Sequence, residues 1–185
     1  MTSSTHATAA LLRRATPADA ATIAALHTAS RATTYRGMLP DDYLDRTLPV
    51  DCLAEWQEKL RAQAPDAGPA AGQTLIAEVD GEAVGFACMS EPDADGSVYL
   101  DNLHARPDRK GGGLGSAMLA AAARWARERG ATRMHLLVLE GNVAAIGFYE
   151  ARGWRLAGRN DDDEMGGHRI SSLTYALDLA PLSGD

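Results

Sequence analysis

Tyr99-Leu100-Asp101-Asn102-Leu103-His104-Ala105-Arg106-Pro107-Asp108-Arg109-Lys110-Gly111-Gly112-Gly113-Leu114-Gly115-Ser116 carries the densest signal in the chain. Residues 98–105 alternate as a strand does, and a proline and a charged stretch end it. Four glycines within residues 111–115 then open a helix expected over residues 114–129, where Leu114, Met118, Ala122 and Trp125 share a face and Gly130 stops the winding. A strand running into a nearly side-chain-free turn, with a helix N-terminus behind it, is an anion site. Glycines let the backbone approach a phosphate, several N–H groups converge, and the helix end adds partial positive charge. A phosphate-binding P-loop would need Lys-Ser/Thr after its last glycine, where Leu114-Gly115-Ser116 stands. The dinucleotide fingerprint fails as well, because its last glycine position, counted from Gly111, is Ser116. Taken alone, the turn is either an anion cradle or simply a flexible connection.

On either side of this turn the pattern predicts one domain over residues 11–180, a flexible Ser/Thr/Ala-rich arm over residues 1–10 and a short tail over residues 181–185. A first strand at residues 11–14 precedes a helix that starts at the Thr16 cap and runs to Ser30. Residues 33–40 form a loop, residues 41–46 and 51–62 two helical pieces, and residues 64–73 a surface connection. Strands at 75–79 and 82–89 are joined by Asp80-Gly81, a two-residue hairpin signal. Downstream, residues 134–139 are apolar on both faces, as a central buried strand requires. A helix over residues 142–151 follows, then strands at 154–159 and 171–179, with the acidic run Asn160-Asp161-Asp162-Asp163-Glu164 in the turn between them. The fold class is therefore α/β in material and α+β in detail: a mixed sheet covered by helices.

Composition excludes several classes of protein. The 185 residues carry a net charge of −7, so no basic footprint points to nucleic acid, and an acidic surface does not favour anionic membranes. No apolar stretch reaches transmembrane length, and residues 1–10 place no positive charge before an apolar segment as a secretory leader does. The two cysteines, Cys52 and Cys88, make no disulfide scaffold and fit a reducing cytoplasm. No His/Cys/carboxylate set has metal-site spacing, and no metal is expected.

Two further patterns give the turn its meaning. Leu103-x-Ala105-x-Pro107 followed by Lys110-x-x-Gly113-x-Gly115 resembles the pyrophosphate-binding motif of the GNAT N-acetyltransferases. Leu136-x-Val138-x-x-x-Asn142, followed by Phe148-Tyr149-Glu150-Ala151-Arg152-Gly153-Trp154, is similar to the second signature of that family. One departure is Lys110, which stands where the family usually has Arg or Gln. The resemblance implies acetyl-CoA as co-substrate. Leu103, His104 and Ala105 would offer backbone to the pantetheine, and Lys110, Gly111, Gly112, Gly113, Leu114, Gly115 and Ser116 would hold the pyrophosphate. Asn142 would bond the pantetheine or act only as a helix cap, and Tyr149 would protonate the leaving thiolate or serve only as a packed tyrosine.

Direct acetyl transfer needs a neutral amine, so a base must take its proton. Asp101 is preferred, through water, with His104 second and Glu140 third; some branches of the family carry a glutamate on the next strand where this chain has Leu137. Strict alternation would put Tyr99, Asp101 and Leu103 on one face and Asn102 and His104 on the other. For the acceptor the resemblance points to Tyr35 and Arg36 and to the acidic turn. His27, Trp56 and His168 are read as structural. The expected activity is N-acetylation of a small-molecule or peptide amine. The alternatives are a protein or ribosomal N-terminal acetyltransferase, or a non-catalytic acyl-CoA sensor. Proteins of this type are frequently homodimers, though no residue here marks such an interface.

Overall fold

The computed structural model describes residues 10–67, 71–109 and 111–180; Lys110, the tail and all of the arm except Ala10 lie outside the described residues. Seven strands form one sheet in the order β1-β2-β3-β4-β5-β7-β6. They are β1 Leu11–Arg14, β2 Gln73–Val79, β3 Glu82–Met89, β4 Ser97–Ala105, β5 Arg133–Leu139, β6 Arg155–Met165 and β7 His168–Asp178. Every pairing is antiparallel except that of β4 with β5. The helices are α1 Ala20–Thr34, α2 Leu48–Ala62, α3 Leu114–Glu128 and α4 Val143–Glu150. One core, built on Ile23, Trp56, Phe86 and Cys88, packs α1 and α2 on one face of the sheet. The other, built on Leu100, Met118, Trp125, Leu136 and Trp154, packs α3 and α4 on the opposite face.

The expected α+β sheet is therefore present, with three local differences. The two helical pieces proposed for residues 41–62 are continuous, because a wide turn at Tyr43–Thr47 leads into α2 and Pro49 falls in the first turn of α2, where its missing N–H costs nothing. The acidic run is strand, not turn. β6 continues to Met165 and reverses at Gly166-Gly167, both at positive φ, while Arg169 donates to the Asp161 carbonyl and Ser171 and Ser172 donate to Asp161 and Asp163. The tip of this hairpin rests on the π-turn: a Cβ at Gly166 would collide with the Tyr43 ring, and His168 meets that ring edge-on at 5.9 Å.

The third difference lies in β4. Met89 pairs with Leu100 and Cys88 with Asn102, which leaves Asp101 as an extra residue bulged out of the ladder. The bulge reverses the alternation. Leu100, Leu103 and Ala105 all pack on the α3 side, whereas Asp101 reaches Lys59 on α2 and His104 stacks on Phe86 beneath α1. Asp101 and His104 thus share a side, contrary to strict alternation.

Candidate active site

β4 and β5 are bonded only where Ser97, Val98 and Tyr99 meet Arg133, Met134 and His135. Beyond that point β4 follows β3 as far as Ala105, and β5 follows β7 as far as Leu139. The two strands splay, and a cleft of about 700 Å³ opens between them. Leu137 is 48% exposed for this reason: it sits on a central strand whose neighbour has turned away, so its side chain faces the cleft instead of a buried layer.

The end of the cleft at the glycine turn, where the resemblance would put the donor, is made of backbone. Gly111 and Gly113 have φ of +87° and +80°, a region that side chains disfavour. Gly113 caps α3 without any side-chain hydrogen bond, so the first-turn N–H groups are not taken by a cap. A Cβ on Gly115 would lie 3.2 Å from the Phe148 ring, which shows how closely α4 approaches the start of α3. A Cβ on Gly112 would meet the Arg109 carbonyl at 3.9 Å, an ordinary contact. Ser116 accepts from Arg152 at 2.6 Å, and that guanidinium stacks 3.7 Å from the Phe148 ring. Arg109 lines this end and is its described cation, next to the undescribed Lys110. Leu103, His104, Ala105, Gly111, Gly115 and Asn142 also line the cleft, whereas Gly112, Gly113, Leu114 and Ser116 do not. Asn142 accepts from the Ala145 N–H at 3.2 Å, so it caps α4 while facing the cleft. An uncapped helix start behind a turn of bare backbone suits a pyrophosphate, and the splayed edge suits the amides of a pantetheine arm.

Tyr149 stands where the two ends meet. Its ring is clasped edge-on by Phe148 and Trp154, at 5.2 and 5.5 Å. Among the described residues its hydroxyl has no hydrogen-bond partner, and it faces the cleft. Burial, with a smaller contribution from Tyr35, pushes the phenol well above its ordinary pKa, so it stays protonated at neutral pH.

The opposite end, where the resemblance would put the acceptor, is made of side chains. Tyr35 and Met38 follow α1, Tyr99 and Asp101 come from β4, and Asp163, Glu164 and Ile170 come from the β6–β7 hairpin. Asp101 forms an ion pair with Lys59, whose ammonium also bonds Glu55 at 3.0 Å. Burial works against the charge on Lys59, but Asp101, Cys88 and Glu55 together more than offset it and keep the ammonium charged. The Tyr99 phenol is pushed up to about 12 by burial and then by Asp101. His104 Nδ1 is hydrogen-bonded to Ser30 Oγ at 2.9 Å. Beneath it His27 Nδ1 accepts from Trp56 Nε1 at 2.9 Å, and burial holds His27 neutral. Two predicted residues lie elsewhere. Arg36 is held on the surface by Asp41 and Asp45 at 2.8 and 2.7 Å, and Glu140 is held by Arg159 at 2.9 Å. Sequence reasoning overlooked Lys59, Arg31 and Arg109. The only signal for the first two is helical spacing: Lys59 lies three residues after Trp56, and Arg31 four after His27.

A profile described as the acetyltransferase (GNAT) family matches residues 35–154, a range that contains the glycine turn, the splay and Tyr149. The chain belongs to the GNAT acetyltransferase family. An acetyltransferase of Pectobacterium atrosepticum is 38% identical over 76 residues, 41% of this chain and 52% of that protein. The chain thus matches about half the length of that relative. The streptothricin acetyltransferase of Streptomyces lavendulae is 28% identical over 167 residues, 83% of this chain and 86% of that protein. The PaiA N-acetyltransferase of Thermoplasma acidophilum, crystallised with coenzyme A, superposes with a TM-score of 0.75 at 18% identity, covering 92% of this chain and 99% of that one. The last likeness shows the GNAT fold alone.

Proposed function

We propose that this GNAT protein is an acetyl-CoA-dependent N-acetyltransferase acting on a primary amine of a small molecule or short peptide by direct attack. The observation that carries the reading is the Tyr149 hydroxyl: buried, protonated, unpartnered among the described residues, and facing the gap between β4 and β5. When bound, acetyl-CoA supplies an activated acetyl group whose leaving atom is a thiolate sulfur. The uncapped start of α3 receives the pyrophosphate, and the free backbone edges of the splay receive the pantetheine amides. Tyr149 donates its proton to the leaving sulfur. Asp101, held in place by Lys59, takes the amine proton through water, so the nucleophile attacks as a neutral amine.

The likeness to a streptothricin acetyltransferase supports a small acceptor. The reading is tested with Tyr149→Phe. Thiol release with a panel of amines should fall by at least about a hundredfold, while acetyl-CoA binding by calorimetry stays within about twofold. An unchanged rate would remove Tyr149 as the acid, and acetyl-CoA binding without acetylation of any amine would favour a sensor.

A further inference from the structure

Among the cations whose surroundings are described around the acceptor end, one differs from the rest. Arg36, Lys59, Arg159 and Arg169 each sit against a carboxylate. Arg31, one turn before Tyr35 on α1, lines the cleft, yet no carboxylate among the described residues pairs with it. Its Nε is buried and meets no hydrogen-bond partner. Its charge is felt by Tyr35, Tyr43, Tyr99 and the Cys52 thiol, so it lies among phenols and a thiol. A half-buried guanidinium without a counterion is costly, and an anion arriving at that position recovers the cost.

Its place along the cleft matters as much as its charge. The Tyr149 phenol feels Tyr35, and Tyr35 in turn feels Arg31. Tyr35, four residues after Arg31, lines the same cleft as both groups. On the hairpin side stand Asp163 and Glu164. A wall with an unmatched cation on one side and carboxylates on the other suits a molecule carrying both charges. A plain polyamine would set an ammonium against Arg31.

Building on the transfer reading above, we infer that the acceptor is an amine that also bears a carboxylate, an amino acid or a derivative of one, and that Arg31 binds that carboxylate. The guanidinium presents paired N–H donors to it, which an ammonium cannot match in geometry.

The experiment compares free amino acids with their carboxamides (glycine and glycinamide, β-alanine and β-alaninamide, lysine and lysinamide) by thiol release. For a wild-type substrate pair, kcat/KM should favour the carboxylate by roughly tenfold to a hundredfold. Arg31→Met should reduce that preference to within about twofold, acting through the acceptor's KM and leaving the KM of acetyl-CoA unchanged. Arg31→Lys should keep part of it. Were Arg31→Met not to fold, the wild-type preference alone decides. If the wild-type chain released no thiol with any amine, the transfer reading would fail. Ligand-observed NMR of N-acetyl-lysine against N-acetyl-lysinamide, with CoA present, then decides Arg31 separately. Equal rates or equal binding within the pairs, or a preference that survives Arg31→Met, would overturn the assignment.

Discussion

The two ends of the cleft are built from different materials. The donor end is consecutive chain: the end of β4, a glycine turn and the start of α3, presenting backbone groups. The acceptor end is assembled from the end of α1, a bulge in β4, a lysine reaching over from α2, and the tip of the β6–β7 hairpin, presenting side chains. A site made of backbone tolerates little change in its glycines and much change around them. A side-chain site can be retuned one residue at a time while the sheet stays as it is.

This contrast can be broken or sharpened by experiment. The largest effect is expected at Asp101. Asp101→Asn should lower kcat/KM about a hundredfold at pH 7, with acetyl-CoA affinity unchanged. The loss should shrink toward pH 10, where amines of ordinary pKa shed their own proton. A loss equal at all pH values would mark Asp101 as merely structural, and a matching pH-dependent loss in His104→Gln would transfer the role. Next comes Gly113→Val, which forces a β-branched residue to a φ of +80°. Acetyl-CoA should bind roughly tenfold or more weakly by calorimetry. Retained affinity would mean that the donor end does not depend on this backbone. Gly166→Val at the hairpin tip should displace Tyr43 and raise the acceptor's KM by roughly fivefold, without touching acetyl-CoA binding. A change in both constants would show that the ends are not independent.

The smallest effect lies outside the cleft. Asp19 is lowered to about 2, first by the Arg13 guanidinium and then, against the cost of burial, by Thr16. Its folded pKa is below the ordinary 3.8, so its contribution is present above about pH 4 and is lost as pH falls toward 2. Asp19→Asn should cost about 1–2 kcal/mol in urea unfolding at pH 7, and the difference from wild type should close near pH 2. Neither KM should move.

The donor end was legible in the sequence because its information is local: glycine spacing, a helix start and Phe148-Tyr149 one helix later lie in reading order. The helices and most strands were legible for the same reason, through periodicity and the Asp80-Gly81 turn. The acceptor end was not. Tyr35 was found, but Arg36 turns outward to Asp41 and Asp45, its near neighbours in sequence, and Arg31 turns inward. Polar side chains choose between solvent and cleft by tertiary partners that spacing does not reveal. The acidic run misled in a related way. Its composition reads as a turn, yet Arg169, Ser171 and Ser172 across the hairpin bond the acidic chain and hold it extended.

The bulge at Asp101 also makes chain length a determinant of this site. β3 pairs with β4 on both sides of it, Met89 with Leu100 before and Cys88 with Asn102 after. Deleting Asp101 would remove the extra residue and let β4 pair with β3 without a break. Leu103 and His104 would keep their sides of the sheet, and the carboxylate that meets Lys59 would be lost. Among relatives, a one-residue gap at this point would therefore signal a site without this carboxylate, even where the glycine turn is identical.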